Sequence, residues 1–399
     1  MSAQLSYVWL SRRRGIGAGL LCELLRVFGS PDAVYAADRR TLEAACPLRR
    51  AQADSLCDKS TDEAEEILRR CAAGDIRILT LGDSAYPDRL RAIADPPVVL
   101  YVRGRWPDFD VTPAVAVVGT RDATQYGRTT AEKLGAALAR AGFITVSGMA
   151  RGNDGAAHRG ALRAGGLTVA VLAGGADVCY PPEHRSLMGD ILLSGAVVSE
   201  YPPGSEPRGA HYHNRNRIIS GLSVATVIVE ATDWRSGALI TVRHALDQGR
   251  DVYAVPGTLD APRSAACNAL IERGEAALLS SPAALVRAYS GLLRGANTQV
   301  RPAPPRQDRH RQGAACRPKA ADTPVLRTQA SAPAGDALPQ SLGDDERAIV
   351  ELVRQGVSGA DELVARCGLP AARVMSLVTM LEMDGILRRE KGKLVLFRR

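Results

Sequence analysis

Apolar runs and helical patterns alternate through the middle of the chain. The apolar runs are Val115–Val118, Ile144–Ser147, Thr168–Leu172, Ala196–Ser199, Ala225–Val229 and Val252–Val255. Continuous runs of this kind are typical of parallel strands that are buried on both faces. Segments with helical spacing, such as Gly127–Ala141 and Gly237–Gln248, separate several of these runs. The alternation predicts an α/β fold with a Rossmann-like, doubly wound and mostly parallel sheet.

The pattern is different on either side of this region. Before it, apolar residues recur at helical spacing from Leu20 to Phe28 and from Thr61 to Cys71, and Val98–Val102 has the pattern of a strand. After it comes a stretch rich in proline and arginine, which is too polar to form a core and is predicted to be disordered. Three helical patterns and two short strands around Lys391-Gly392-Lys393 then predict a winged helix. The predicted organisation is a helical domain at 1–75, a Rossmann-like domain with an N-terminal strand extension at 76–290, a disordered linker at 291–340 and a winged helix at 341–399.

Composition adds a preference for an anionic partner. The 399 residues carry a formal net charge of +8, which favours nucleic acid but is weak evidence alone, because arginine content also follows genomic base composition. The eight cysteines form no C-x-x-C pair and lie at no zinc-ligand spacing from histidine, so we expect neither a metal site nor disulfides. Free thiols and the absence of any apolar run of about 18 residues predict a cytoplasmic protein without membrane contact.

Small and polar residues follow the predicted strands, at the edge where such sheets bind ligands. Gly119-Thr120-Arg121 follows the first strand, and Ser147-Gly148 and Arg151 lie at the end of the second. Glycine turns let backbone N–H groups approach an anion, and arginine pairs with phosphate oxygens in two places. The alternative is that these glycines are needed only for steric reasons. Since neither the G-x-G-x-x-G fingerprint nor a P-loop lysine is present, we expect no NAD, ATP or other cofactor.

The densest polar cluster of this region lies at His211–Gly221. It places the ring of Tyr212 close to Arg215, Asn216 and Arg217. Proteins that bind single strands combine cationic grooves with stacking rings, so Tyr212 is a candidate to stack a base and Arg215 or Arg217 to bind phosphate. The alternative is that Arg217 forms a salt bridge within the fold and Tyr212 packs at the edge of the core.

Seven motifs in this region occur in an order and spacing that resemble those of the DNA-processing protein A (DprA/Smf) family. They are Gly119-Thr120-Arg121, Ser147-Gly148-Met149-Ala150, Tyr180-Pro181, Ser199-Glu200-Tyr201-Pro202, Arg215-Asn216-Arg217-Ile218-Ile219-Ser220-Gly221, Val255-Pro256-Gly257 and Asn268-Ala269-Leu270-Ile271. Three residues depart from the usual pattern: His213 replaces proline, Asn153 replaces an apolar residue and Ala266 replaces glycine.

The resemblance implies a non-enzymatic protein that binds single-stranded DNA, protects incoming strands during natural transformation, loads the RecA recombinase and forms a homodimer. It also implies an N-terminal domain similar to a sterile alpha motif, in which Gly15-Ile16-Gly17 would form a helix-hairpin-helix turn. Carried over by motif, the DNA-binding residues are Gly119, Thr120, Arg121, Ser147, Gly148, Arg151, Tyr212, Arg215, Asn216 and Arg217.

Two other functions remain open at this point. One is a nucleotide-cleaving hydrolase similar to phosphoribohydrolases, for which Glu200 or Glu230 would be the carboxylate. The other is a transcription regulator that reads duplex DNA through the winged helix. The predicted third helix is not basic, whereas the predicted wing carries Arg388 and Arg389. We therefore expect phosphate or protein contacts by the wing instead of sequence-specific reading.

Overall fold

The computed structural model describes residues 1–295 and, further along the chain, 344–355, 357, 360–367, 374, 377, 378, 381, 387–390 and 393–396. The chain forms two compact units, Met1–Asp308 and Arg309–Arg399. The predicted linker therefore lies almost entirely outside the described residues, as does most of the predicted third helix of the winged helix.

Within the described residues, a mixed sheet of nine strands forms the centre of the first unit. Strands β1 to β9 are Arg77–Thr80, Val99–Gly104, Ala114–Val118, Ile144–Ser147, Thr168–Leu172, Ala196–Ser199, Ala225–Ile228, Asp251–Ala254 and Ala277–Leu278. Their order across the sheet is β1-β2-β6-β5-β4-β3-β7-β8-β9. Along the sheet, each neighbouring pair in the series β6-β5-β4-β3-β7-β8-β9 is parallel. Strand β2 pairs antiparallel with both β1 and β6. The prediction of a mostly parallel, doubly wound sheet is confirmed.

Helices cover both faces of this sheet. Helices α1 to α7 are Ala3–Ser11, Ala18–Phe28, Pro31–Ala36, Arg39–Ala45, Arg50–Cys57, Asp62–Ala73 and Asp88–Arg91. Helices α8 to α14 are Gln125–Ala141, Asn153–Arg163, Arg185–Ser194, Gly209–Gly221, Gly237–Asp247, Ala265–Glu272 and Pro282–Tyr289. Short 3₁₀ helices lie at Pro182–His184, Pro262–Ser264 and Ser290–Gly295.

Alternate residues of the strands point to opposite faces and build separate cores. Ala116 and Val171 pack with α7, α11, α12 and α13 on one face. On the other face, Val115 and Val117 pack with α8, α9 and α14, and Tyr101 and Val197 pack with the N-terminal helices and α10. Because both faces are covered, β3 and β5 are buried at every residue.

The N-terminal helices share a hydrophobic core with the sheet. Leu24 and Val34 belong to the same buried cluster as Val99 and Tyr101. Local sequence sets the helix ends: Gly29 adopts a left-handed φ of 77° after α2, and the Ser30 side chain accepts a hydrogen bond from Ala33 N–H to start α3. The helical character predicted for this region is confirmed.

The second unit contains part of the predicted winged helix. The described elements are α15, Asp344–Arg354, and α16, Ala360–Cys367, with the antiparallel strands β10, Leu387–Glu390, and β11, Lys393–Leu396. Val374, Leu377, Val378 and Leu381 are buried in the same cluster as residues of α15 and α16. The side chains of the predicted basic wing lie outside the described residues.

Helices α8 and α9 pack closely because Gly135 of α8 faces the backbone of α9 and Gly160 of α9 faces the backbone of α8. A Cβ at Gly135 would clash with the carbonyl oxygen of Ala157, and one at Gly160 would clash with that of Glu132. We expect Gly135→Ala to lower the free energy of unfolding by about 1–3 kcal/mol despite alanine's better helix propensity. Urea denaturation measures this, with Gly19→Ala as the control, because nothing lies within 4 Å of a Cβ there. Equal stability of the two variants would contradict the close crossing.

A buried histidine of α9 should make the fold sensitive to mild acid. His158 is fully buried, its Nδ1 lies 2.6 Å from Thr168 Oγ1, and burial lowers its pKa to about 3. Below about pH 6 the unfolded chain takes up a proton that the folded chain does not, so stability should fall by about 1.4 kcal/mol per pH unit. Urea midpoints at pH 7.5 and 5.5 measure this. The variant His158→Gln should lose less stability between pH 7.5 and 5.5. A loss equal to that of the unchanged protein would mean that His158 is not the cause of the acid sensitivity.

Candidate nucleic-acid interface

An open cavity lies at the carboxyl ends of the parallel strands. Its volume is about 560 Å³, and it is lined by Gly119, Thr120 and Arg121 after β3, by Ala150 after β4 and, after β7, by residues 232, 233 and 235–238. From β3 the chain runs to β4 on one side and later to β7 on the other. The cavity, called the rim cavity below, therefore lies at the topological switch point, where open α/β sheets bind ligands.

The loop between β3 and α8 is held in place by hydrogen bonds to Glu230, which follows β7. Thr120 N–H donates to the Glu230 carbonyl over 2.8 Å, and Thr124 donates to the Glu230 carboxylate through both its N–H and its hydroxyl. A Cβ at Gly119 would clash with the buried Asn153 amide, so glycine is required there. These contacts fix the loop and leave the Arg121 side chain exposed.

Arg121 lies beside two tyrosines at the mouth of the rim cavity. Its guanidinium carbon is 4.8 Å from the centre of the Tyr212 ring, and the Tyr212 and Tyr180 rings meet edge to face with centroids 6.4 Å apart. Arg121, Tyr180 and Tyr212 also line a smaller recess, together with Arg151. None of the described acidic side chains forms a salt bridge with Arg121, so an anion can reach its guanidinium.

Arg215 is part of the floor of the rim cavity. It is 5% exposed, and its Nη1 donates to the Gly148 carbonyl over 2.9 Å and to that of Val171. The Asp154 carboxylate accepts hydrogen bonds from Gly148 and Ala150 N–H groups. Burial raises the pKa of Asp154 and lowers that of Arg215, and the opposite charge of each opposes the shift of the other. Arg215 thus ties together the ends of β4 and β5 while contributing charge to the cavity.

Arg217 lies away from the cavity, inside the fold. Its side chain is 3% exposed, its Nε donates to Asp95 over 3.0 Å, and its Nη2 donates to both Glu200 oxygens over 2.7 and 2.9 Å. Burial acts to lower its pKa, but the two carboxylates outweigh burial and raise it. The structure thus favours the salt-bridge alternative for Arg217, and we do not assign it to phosphate binding.

The remaining candidates support the rim in different ways. The Ser147 hydroxyl donates to the Val117 carbonyl over 2.6 Å, and a Cβ at Gly148 would clash with the Arg215 guanidinium. Asn216 donates to the Gly237 carbonyl at the start of α12 over 3.2 Å. Arg151 is exposed and forms an ion pair with Glu183. Of the arginines predicted from the sequence, Arg121 is therefore the one that lines the rim cavity with an exposed side chain and forms no salt bridge with a described residue.

Sequence reasoning missed two side chains at this edge. Tyr180, 47% exposed, was noted only as part of a motif, and Arg235 lines the rim cavity beside Asp233. A tyrosine next to proline after β5 and an arginine just before α12 were signals that could have been used. With Arg121, Arg215 and Arg235 facing Asp233 and Asp154, the cationic side chains lining the cavity outnumber the anionic ones.

Comparisons with known families match this architecture. A model of the family described as DNA recombination-mediator protein A matches residues 77–290, more than half of the chain, and a model of the DprA winged helix domain matches residues 331–393. The chain belongs to the DprA family.

Individual members of the DprA family are similar over most or about half of the chain. Protein Smf of Synechocystis sp. is 35% identical over 323 residues, which cover 79% of each chain. DNA processing protein DprA of Bacillus subtilis is 38% identical over 206 residues, 52% of this chain and 69% of the relative. The X-ray structure of DNA processing protein A from Streptococcus pneumoniae aligns with a TM-score of 0.63 and 31% identity, covering 71% of this chain and 97% of that chain.

The two carboxylates considered for a hydrolase have structural partners in this DprA family member. Glu230 is 1% exposed and accepts hydrogen bonds from Thr124, while Glu200 accepts hydrogen bonds from Arg217. No group of three or more metal-ligating side chains occurs among the described residues. In the same part of the chain, no helix is both long and apolar enough to cross a membrane.

Proposed function

We propose that this member of the DprA family binds single-stranded DNA at the rim cavity. In this proposal the protein acts in the cytoplasm as a homodimer, without catalysis, to protect incoming strands during natural transformation and to load RecA on them. The observation that carries the proposal is the exposed Arg121 guanidinium, 4.8 Å from the Tyr212 ring at the mouth of an open cavity.

The chemistry of the rim favours a single strand over a duplex. Tyr212 and Tyr180 offer rings at the mouth of the cavity, and base stacking on such rings requires bases that are not already stacked in a duplex. Arg121 and Arg235 supply charge for phosphates, and the N-terminus of α12, which has no side-chain cap, lies beside them. None of these groups reads a base edge in a defined way, so we expect little sequence preference.

The wider roles are supported less directly. The family's description as a recombination mediator supports transfer of the strand to a recombinase. Among the described strands, β9 lies at one edge of the sheet, and Leu278 is 52% exposed there. Such a strand edge is a common surface for pairing with a second copy, which supports self-association. The six cysteines within residues 1–295 are free thiols, which suits a reducing compartment.

A gel shift that compares single-stranded with duplex DNA of the same sequence tests the proposal. We expect the full chain to shift the single strand at clearly lower protein concentration, and the preference to depend on Arg121. Equal affinity for both forms, or a preference for duplex, would contradict it. Release of free base from nucleoside monophosphates would instead favour the hydrolase.

A further inference from the structure

Two further spaces adjoin the rim cavity, one beside Tyr180 and one at the outer face of α12. The recess beside Tyr180 shares Arg121 and Tyr212 with the rim cavity, and the rim cavity shares His213 and Arg235 with a further cavity of about 420 Å³. We call this further cavity the Trp234 subsite. Because neighbouring spaces share lining side chains, the three lie next to one another, as an extended chain that contacts all three requires.

The Trp234 subsite has the same combination of ring and charge as the Arg121 end. Trp234 is 37% exposed, and the Arg273 guanidinium carbon lies 4.3 Å from the centre of its ring. Such a ring on the surface, held by a cation, offers a flat face for a nucleobase.

The charge of the subsite is positive. Arg235 and Arg243 are exposed, and neither forms a salt bridge with any described residue, whereas Asp247 is the acidic side chain of the lining. Burial lowers the pKa of His244, which opposes a positive charge on its ring. Ile240, Arg243, His244 and Asp247 recur at helical spacing, so one face of α12 presents the subsite.

We propose that a single strand held at Arg121 and Tyr212 continues past His213 and is bound a second time at the Trp234 subsite. Trp234 stacks one base, and Arg235 and Arg243 bind the phosphates next to it. This inference rests on the proposed function, because it extends the same strand from the rim cavity to the neighbouring Trp234 subsite. It makes the footprint longer than the Arg121 end alone would require.

Intrinsic fluorescence gives a direct test of stacking, because the chain has three tryptophans in different environments. Trp9 is fully buried, and Trp106 donates a hydrogen bond to the Ala85 carbonyl and packs against Phe109. Titration of the full chain with oligothymidylate of 5 to 30 nucleotides should quench the emission once the strand is long enough to reach Trp234. The same titration of Trp234→Phe should lose most of the quenching.

Affinity supplies the second readout. We expect Trp234→Ala and Arg243→Gln each to raise the Kd for the 30-nucleotide strand at least fivefold, as base stacking and phosphate contacts provide in other single-strand binders. Arg40→Gln, an exposed arginine of α4 without a described salt bridge, is the control for charge and should leave the Kd unchanged.

The outcomes separate the two proposals. If Arg121→Ala weakens binding while Trp234→Ala and Arg243→Gln do not, the second contact is refuted and the proposed function stands. If none of these variants changes the Kd, both the second contact and the proposed function are refuted. Quenching by duplex DNA equal to that by the single strand would overturn the inference, because a duplex base is not free to stack on Trp234.

Discussion

Replacement of Arg217 by methionine is expected to lower the free energy of unfolding by about 3 kcal/mol. The guanidinium is almost fully buried and pairs with Glu200 and Asp95, whose side chains are 20% and 43% exposed. Removing one member of a buried ion pair leaves the other charge without compensation and costs about 3–5 kcal/mol. We expect the lower end of this range, because water reaches both carboxylates.

Urea denaturation of Arg217→Met measures this effect, and the double variant Arg217→Met with Glu200→Gln serves as its control. Removing the negative charge as well should restore part of the lost stability, because the uncompensated carboxylate is then absent. The folded fraction of Arg217→Met should still bind single-stranded DNA at a Kd close to that of the unchanged protein. Normal stability with strongly reduced DNA affinity would mean that Arg217 contacts the strand directly.

The contrast between Arg215 and Arg217 shows where sequence reasoning ended. The sequence identifies the motif that contains them, but it does not show that the motif lies on helix α11, Gly209–Gly221. Residues two positions apart on a helix point in directions that differ by about 200°. Tyr212, Arg215 and Asn216 therefore share the side that lines the rim cavity, and Arg217 faces elsewhere. Its partner Asp95 lies 122 residues earlier in the chain, so no local pattern could identify the pair.

The sheet was predictable for a physical reason that does not extend to the whole site. Parallel strands covered on both faces require continuous apolar runs, so β3 to β6 stand out in the sequence, and the residues that follow β3 and β4 must lie at one edge. Arg121 was found in this way. Trp234 was not, because the loop before α12 has no periodicity and its contact with Arg273 joins residues that are distant in the chain.

Replacement of Arg121 by alanine is expected to raise the Kd for single-stranded DNA at least tenfold without lowering stability. The side chain is exposed and forms no described salt bridge, so the fold does not depend on it, whereas a charge-assisted hydrogen bond to phosphate contributes about 1.5–3 kcal/mol. Loss of the guanidinium over the Tyr212 ring also removes a contact that holds the stacking platform in place. Urea midpoints equal to those of the unchanged protein would confirm that the loss is one of binding.

Salt dependence then distinguishes a phosphate contact from a general weakening. Each phosphate neutralised on a single strand contributes about −0.7 to the slope of log K against log salt, so Arg121→Ala should make the slope shallower by about that amount. Arg121→Lys should retain the slope, because the charge remains, but bind less tightly, because lysine lacks the planar fork that pairs with phosphate and stacks on Tyr212. Arg40→Gln should change neither quantity. If Arg121→Ala and Arg40→Gln give the same slope and Kd, Arg121 does not bind the strand, and the rim cavity is not the DNA site.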